Sequence, residues 1–421
     1  MQLRCVVQRK TLACGKRSVK YCRLPLWPPM SIMNMSNIKF CLDNNSYFNL
    51  KEHQSQEYGA PYVMPMTLHK FLTNHGINYD TVDVESADYS AWYNVNLYFF
   101  DFNCDYITYL NPRVLYKIRH KQLRLLFTYG EPDDPHVIDR RLRELCEAHD
   151  IDRESIFFIS GNTIADSIDG MAYVCESEYL FEIQNTTVVP NPTIFDRKTK
   201  KYTCLNRVHK QYRKEFVYNL WRNSLTEDAY VSYGNVINKD TREDFSITNG
   251  RFLFYLGHER NMDFVQPNFE SVLPLSADNL NTDNHNDHSL SVDYLFTDSY
   301  WNVVMETYLD ATDGVFLTEK TFKPIKYGQP FVILGTPGSL ELLKEQGYKT
   351  FNPWLDESYD QEQDVRQRWL AVWDNVKQIS TMTLEELHKW HIEMTSTILH
   401  NQAWFKRNKK QELEQVLKRL P

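Results

Sequence analysis

The sequence predicts an α/β fold in two successive domains, followed by a helical C-terminal segment. Three observations predict it. From Ile38 onward, short apolar runs alternate with helix-patterned stretches, the pattern of parallel sheets crossed by helices. The break at Pro190-Asn191-Pro192 separates two such series. The 421 residues, at roughly 100–200 per domain, suffice for two or three domains with sizeable cores.

In order along the chain, 38–42 reads as a strand closed by the turn-prone Asp43-Asn44-Asn45. Residues 67–74 read as a helix, 79–84 as a strand, and 97–100 and 123–127 as two further strands. The stretch 135–149 carries Val137, Leu142, Leu145 and Cys146 at helical spacing and precedes the strand 155–159. After the proline break come a strand at 202–205, a helix at 211–224 and a strand at 229–233. A polar loop at 276–291 follows, then an apolar segment at 301–309 that suits either helix or strand. Helix 319–327, strand 331–334 and helix 339–346 come next, and a helical stretch over 383–420 is long enough to pack back over an earlier domain. The expected divisions are a basic leader at 1–36, an acceptor-side α/β domain at 37–195, a second α/β domain at 196–382 and a C-terminal helix at 383–421.

Composition narrows the function classes. With 24% charged and 42% hydrophobic residues the chain is neither disordered throughout nor fibrous. Its 47 basic against 55 acidic residues leave a net charge of −8, which argues against a nucleic-acid partner. No apolar run reaches about 18 residues, so no membrane span is expected. The first thirty residues carry Arg4, Arg9, Lys10, Lys16, Arg17, Lys20 and Arg23 and no acid; removing those seven charges takes −8 to −15. That leader lacks an apolar signal core and a Ser-rich amphipathic pattern, and reads as a disordered or over-called start with Met30, Met33 or Met35 as alternatives. Cys41, Cys104, Cys146, Cys175 and Cys204 are widely spread, without a C-x-x-C pair, and fit reduced thiols and a cytoplasmic location.

The chain lacks the P-loop, the G-x-G-x-x-G fingerprint, H-E-x-x-H and G-x-S-x-G. His285 and His288, beside Asp283 and Asp287, read as a solvated loop rather than metal ligands, and Asp101 and Asp105 as a polar strand end. No metal is expected. The densest run is 314–339. There Thr318 and Glu319 open a helix, with Lys320, Lys323 and Lys326 in its turns. Cations at a helix start cost about 0.3–1 kcal/mol each against the macrodipole, a cost that a bound anion offsets. Glu319 suits the hydroxyls of a ribose diol. The Gly335-Thr-Pro-Gly-Ser339 turn follows the strand and enters a helix that Ser339 is expected to cap. The plain alternative is a solvated lysine face beside an ordinary turn.

The run Trp301-Asn-Val-Val-Met-Glu306-Thr, then Leu317-Thr318-Glu319-Lys320 and Gly328-Gln-Pro-Phe-Val-Ile-Leu-Gly335, resembles the donor-binding core of family 10 glycosyltransferases, the α-1,3-fucosyltransferases. It also resembles uncharacterised phage and giant-virus proteins that share the Thr-Glu-Lys-Thr-Phe-Lys-Pro block. Two further stretches match in order. The segment holding Asn206, Arg207 and Arg213 resembles the family's Ser-Asn…Arg-x-x-Phe stretch, whose arginine binds the donor pyrophosphate. That makes Arg213 the implied phosphate ligand and Arg207 the second choice; a surface arginine on an amphipathic helix is the plain alternative. Tyr129-Gly130-Glu131-Pro resembles the segment that carries the family's general base, which implies Glu131, with Asp133 or Asp134 able to do the same chemistry. Two departures stand out. Met305-Glu306-Thr307 replaces Phe-Glu-Asn, and the lookalike Asp101-Phe102-Asn103 precedes the glutamate motif instead of following it.

The resemblance implies two Rossmann-like domains in a GT-B-like arrangement, with the donor nucleotide in the second and the acceptor in the first. The implied reaction is inverting transfer of a sugar from a nucleotide diphosphate sugar, such as GDP-fucose, to a carbohydrate hydroxyl, with no cofactor required. Donor contacts fall on Asn206, Arg207, Arg213, Glu306, Thr318, Glu319, Lys320 and Lys323, and proton transfer on Glu131. Location is cytoplasmic, in the host cytoplasm for a viral member. A non-catalytic carbohydrate- or nucleotide-binding protein and a nucleotide-sugar epimerase are the alternatives on the same fold.

Overall fold

The computed structural model describes residues 38–41, 72–73, 75–97, 105–130, 133–175, 178, 194–208, 210–236, 275, 293–309, 314–407 and 409–420. They form an α/β fold built on two parallel sheets. The first sheet contains β1 (Ile38–Cys41), β2 (Tyr79–Val82), β3 (Ala91–Leu97), β4 (Arg124–Tyr129), β5 (Ile156–Ser160) and β6 (Met171–Tyr173), in the order β2-β1-β3-β4-β5-β6. Between its strands lie α1 (Pro112–Arg119) and α2 (Pro135–His149). Both helices start on an N-cap and N1-proline pair: Asn111 accepts from the Arg113 N–H, and Asp134 from the His136 N–H, each at 2.9 Å.

This sheet is apolar on both faces, as a parallel sheet covered on both sides must be. Leu125, Phe127 and Tyr129 of β4, with Ile156 and Phe158 of β5, face Val114, Ile118, Ile138 and Leu142 of the two helices. Leu126, Phe157 and Ile159 point the other way, onto a core that includes Leu413 and Leu417 from the chain's last helix.

The second sheet contains β7 (Lys200–Val208), β8 (Ala229–Val236), β9 (Ser299–Met305) and β10 (Phe331–Leu334), in the order β10-β9-β7-β8. It is crossed by α3 (Gln211–Arg222), α4 (Asp293–Thr297), α5 (Glu319–Tyr327) and α6 (Ser339–Glu345). The helices α7 (Val365–Thr381), α8 (Leu384–Glu393), α9 (Thr395–Phe405) and α10 (Lys410–Leu417) complete the chain. Phe216 of α3 packs edge-on against Trp369 and Trp373 of α7, at centroid distances of 5.3 and 5.4 Å. Every residue of β9 is buried, and the segment expected at 301–309 as helix or strand is strand as far as Met305, with 306–309 in neither.

Several boundaries differ from expectation. The strand expected at 97–100 is Ala91–Leu97, and 98–100 fall outside the described residues. Its alternation of Trp92, Asn94 and Asn96 with Tyr93, Val95 and Leu97 hides it from a search for unbroken apolar runs; the Asn94 amide is satisfied by the Leu126 carbonyl at 3.1 Å. The helical stretch from 383 is three helices. Of the helix expected at 67–74, Leu72 and Thr73 are helical and most of the rest lies outside the described residues, as does the leader 1–36.

Candidate functional site

In the second sheet all strands run parallel, and the order in which they are added reverses at β7: β8 extends the sheet on one side of β7, and β9 returns to its other side. Open α/β sheets bind ligands outside the carboxyl ends of the strands at such a reversal. At this point β9 ends and Glu306 follows, wholly buried, its N–H still bonded to the Leu334 carbonyl at 2.9 Å.

The Glu306 carboxylate is bound by the start of α5. Its Oε1 accepts from the Thr318 N–H at 3.1 Å and the Thr321 hydroxyl at 2.6 Å. Its Oε2 accepts from the Thr318 hydroxyl at 2.6 Å and the Thr307 N–H at 3.2 Å. Glu306 is thus the anion at this helix start, favoured there by the macrodipole and the free N–H groups. Thr318 is the N-cap, accepting from the Lys320 N–H. Lys320 Nζ meets Glu319 Oε1 at 2.9 Å, Thr318 Oγ1 at 3.2 Å and Thr307 Oγ1 at 3.3 Å. Lys320 is therefore partly neutralised within the chain, by Glu319, so part of the cost that a bound anion was expected to offset is already met.

A second group of donors reaches the same strand end, at the carbonyls of Met305, Glu306 and Thr307, from the beginning of α3. Lys210 Nζ donates to the Thr307 carbonyl at 2.7 Å and lies 4.7 Å from the centre of the Tyr308 ring. Arg213 donates through one NH2 to the Met305 and Glu306 carbonyls, each at 2.9 Å. Tyr212 donates its hydroxyl to the carbonyls of Glu306 and Thr307. Arg213 is buried beneath the strand end, whereas Lys320 is 27% exposed, so Lys320 fronts the site and Arg213 supports it. Lys323 stands one turn along α5 from Lys320, half-buried.

The residue sets predicted from sequence are brought together only in part. Glu306, Thr318, Glu319, Lys320 and Arg213 converge on this strand end. Asn206 is buried at the end of β7, its N–H on the Ser232 hydroxyl at 3.2 Å and its amide on Cys204 Sγ at 3.4 Å. The backbone of Arg207 falls at a pairing irregularity between β7 and β8, and its side chain lies outside the described atoms. Glu131 lies outside the described residues, as do Asp101, His285 and His288. Lys210, Tyr212 and Tyr308 were not expected; Lys210 could have been found as a cation immediately before a helix.

The turn 335–339 is closed to an anion. Gly338, not Ser339, is the N-cap of α6, with φ +83°, and Ser339 gives its hydroxyl to the Thr336 carbonyl at 2.7 Å. The opening N–H groups are taken by Asp360, whose two oxygens accept from Leu340 and Glu341 at 2.8 and 3.0 Å.

The carboxyl edge of the first sheet meets the approach to α5. The Gly161 N–H bonds the Tyr129 carbonyl at 2.9 Å, and the Val315 N–H bonds Thr163 Oγ1 at 3.0 Å. A Cβ on Gly161 would lie 2.4 Å from the Gly130 carbonyl oxygen and 3.1 Å from the Phe316 ring, so only glycine fits. Phe316 meets the 38%-exposed Tyr308 edge-on at 6.2 Å, which links this edge to Lys210 and Thr307. On the first sheet's side, Asp134 is occupied as the cap of α2, while Asp133 accepts the Tyr129 hydroxyl. Burial pushes the Asp133 carboxyl above the usual range, and the tyrosine bond draws it partly back.

Among the described residues no group of three or more His, Cys, Asp or Glu could hold a metal ion, and no helix is long and apolar enough to cross a membrane. Cys146, Cys175 and Cys204 are buried free thiols, pushed by desolvation to about 11, 12 and 12, which makes them poor nucleophiles.

No protein-family model matches the chain, and no curated protein matches it. Among solved structures it is similar to a crystal structure of an alpha1,3-fucosyltransferase, with 12% identity and a TM-score of 0.35, over 90% of this chain and 95% of that one.

Proposed function

We propose that the chain is an inverting glycosyltransferase that moves a sugar from a nucleotide diphosphate sugar, such as GDP-fucose, to a carbohydrate hydroxyl. The observation that carries this reading is the gathering of cations at the β7/β9 reversal. Lys210, Arg213, Lys320 and Lys323, four positive charges, stand against the carboxylates of Glu306 and Glu319, a balance of two positive charges. A departing nucleoside diphosphate carries the complementary charge. Fixed cations that meet charge as it develops on a leaving group are among the largest contributions to catalysis, and they supply what a divalent ion supplies in metal-dependent transferases.

In this reading Lys320 and Lys210 touch the diphosphate, with Lys323 and Arg207 beside them. Arg213, from α3, braces the end of β9, and Asn206 lies near the end of β7. Glu306 and Thr318 fix the start of α5, and Glu319 accepts hydrogen bonds from the ribose diol. A carboxylate on the 131–133 segment takes the acceptor's proton, Glu131 being the one that the family resemblance implies. The test is a thermal-shift series with GDP, UDP, GDP-fucose, GDP-mannose and UDP-galactose, followed by assay of nucleoside diphosphate release with lactose as acceptor. Stabilisation by one nucleotide series and release from its sugar conjugate are expected; no shift with any of the five would remove the reading.

A further inference from the structure

We infer that Asp133 accepts the proton of the attacking hydroxyl, with Tyr129 as its positioning residue. The inference rests on the transferase reading above and deepens it.

Several other buried or half-buried carboxylates are heavily satisfied. Glu306 accepts four hydrogen bonds, and Asp360 accepts two backbone N–H groups. Asp139 is paired with Arg143 and Arg153. Glu178 takes Arg407 and the Tyr348 hydroxyl, with Lys409 at 3.7 Å. Asp133 differs. Its Oδ2 accepts the Tyr129 hydroxyl; among the described residues nothing donates to Oδ1, and no lysine or arginine pairs with it. A partly buried carboxylate without a counter-ion costs stability, and such groups concentrate where a charge change is used.

Its place in the fold fits that use. Tyr129 ends β4, so Asp133 stands at the carboxyl edge of a parallel sheet, where α/β proteins carry chemistry. The residue after Tyr129, Gly130, is pressed against Gly161 and through it against Phe316, two residues before the Thr318 cap of the donor-side helix. Asp133 is thus tied to the contact between the two sheets' carboxyl edges. Asp134 is excluded, since its carboxylate is the cap of α2. Desolvation makes Asp133 a stronger base than an exposed aspartate, and the Tyr129 hydroxyl keeps it from being protonated too readily.

The step balances. The acceptor O–H proton passes to Asp133 Oδ1 as the acceptor's oxygen bonds to the anomeric carbon. The bond from the anomeric carbon to the diphosphate oxygen breaks, and its electron pair leaves with the diphosphate.

The experiment uses the full chain with GDP-fucose or UDP-galactose as donor and lactose as acceptor, comparing wild type with Asp133→Asn, Tyr129→Phe and Glu131→Gln. Asp133→Asn is expected to lower kcat by roughly 10²–10⁴-fold while GDP or UDP still raises Tm as in wild type. Tyr129→Phe removes the bond that lowers the Asp133 pKa, so the acidic limb of the kcat/KM profile should move to higher pH. Full turnover in Asp133→Asn alongside a collapsed Glu131→Gln overturns the assignment. So does an unmoved acidic limb in Tyr129→Phe, or a rate loss in Asp133→Asn that merely follows lost nucleotide binding. Absence of release by wild type from both donors removes the transferase reading and this assignment together; wild-type turnover with an intact Asp133→Asn removes the assignment alone.

Discussion

Lys320 touches three oxygens within 3.3 Å and remains partly open to solvent, so its value lies in what it meets from outside rather than in the fold. Partly exposed ion pairs contribute about 0–1 kcal/mol. Lys320→Ala is therefore expected to leave the Tm of the free protein nearly unchanged and to abolish its rise with GDP or UDP; an undiminished rise would remove Lys320 from the nucleotide site. A second residue-scale expectation concerns His391, which is 2% exposed. Desolvation first, then the nearby charge of Lys198, hold its pKa down from 6.5 to about 4, with His388 adding a little. The folded state keeps this ring neutral where the unfolded chain is protonated. Its stability cost is absent above about 6.5 and grows as pH falls towards 4, reaching about 3 kcal/mol. Urea unfolding at pH 7.5 and 4.5 checks it: His391→Gln should lose less stability on acidification than wild type, and equal losses would refute the account. At this scale the sequence is legible where site residues are neighbours. Thr318, Glu319 and Lys320 are contiguous, but Lys210 and Arg213 lie about a hundred positions upstream of the strand end they grip, a proximity that only the sheet order β9-β7 creates.

The junction of β9 with α5 shows how one carboxylate ties two elements together. Glu306 gives its N–H to β10 and its oxygens to the first turn of α5, so the strand end and the helix start share a single anchor. Glu306→Gln keeps the shape, removes the charge and turns one acceptor oxygen into a donor that faces groups already donating. Hydrogen bonds to charged groups contribute about 1.5–3 kcal/mol, and an unsatisfied buried donor costs about 1–3 kcal/mol. The variant should lower stability by about 2–4 kcal/mol in urea titration, on the same grounds. It should also weaken nucleotide protection, since Lys320 stands on the loosened turn; a change under half a kcal/mol would mean that the carboxylate is dispensable there. Elements were readable where one physical signal dominates. Leu123–Phe127 and Phe331–Leu334 announce themselves as apolar runs, and Asp134-Pro135 as a cap followed by an N1 proline. The helix α7 is missing from the sequence expectations although Trp369, Val372, Trp373, Val376 and Ile379 lie at helical spacing, so its signal was present. The strand β3 is the harder case, because the half-buried amide of Asn94 finds its partner only in a carbonyl of the neighbouring strand β4.

At the scale of the whole molecule, the chain's last helix belongs to its first sheet. Leu413 and Leu417 of α10 complete the core formed by Phe40, Trp92, Leu126 and Phe157, and Lys410 bonds the Gly76 carbonyl at 3.0 Å. Just before α10, Arg407 reaches Glu178 at 2.9 Å, and the Lys409 side chain is wholly buried. The segment that follows the second sheet therefore seals the first one, an arrangement anticipated only as a helix long enough to pack back. Opening the first sheet would expose the α10 face, and α10 is joined through Arg407 to α9, which packs beside α5. Leu413→Ala removes a buried side chain at that seal and should cost about 2–5 kcal/mol. If the seal couples the two sheets, the loss will appear as one transition shifted to lower denaturant, coincident by far-UV circular dichroism and by fluorescence of tryptophans in both cores. Two separated transitions, with only the first moved, would show that the sheets unfold independently and that α10 stabilises one of them alone.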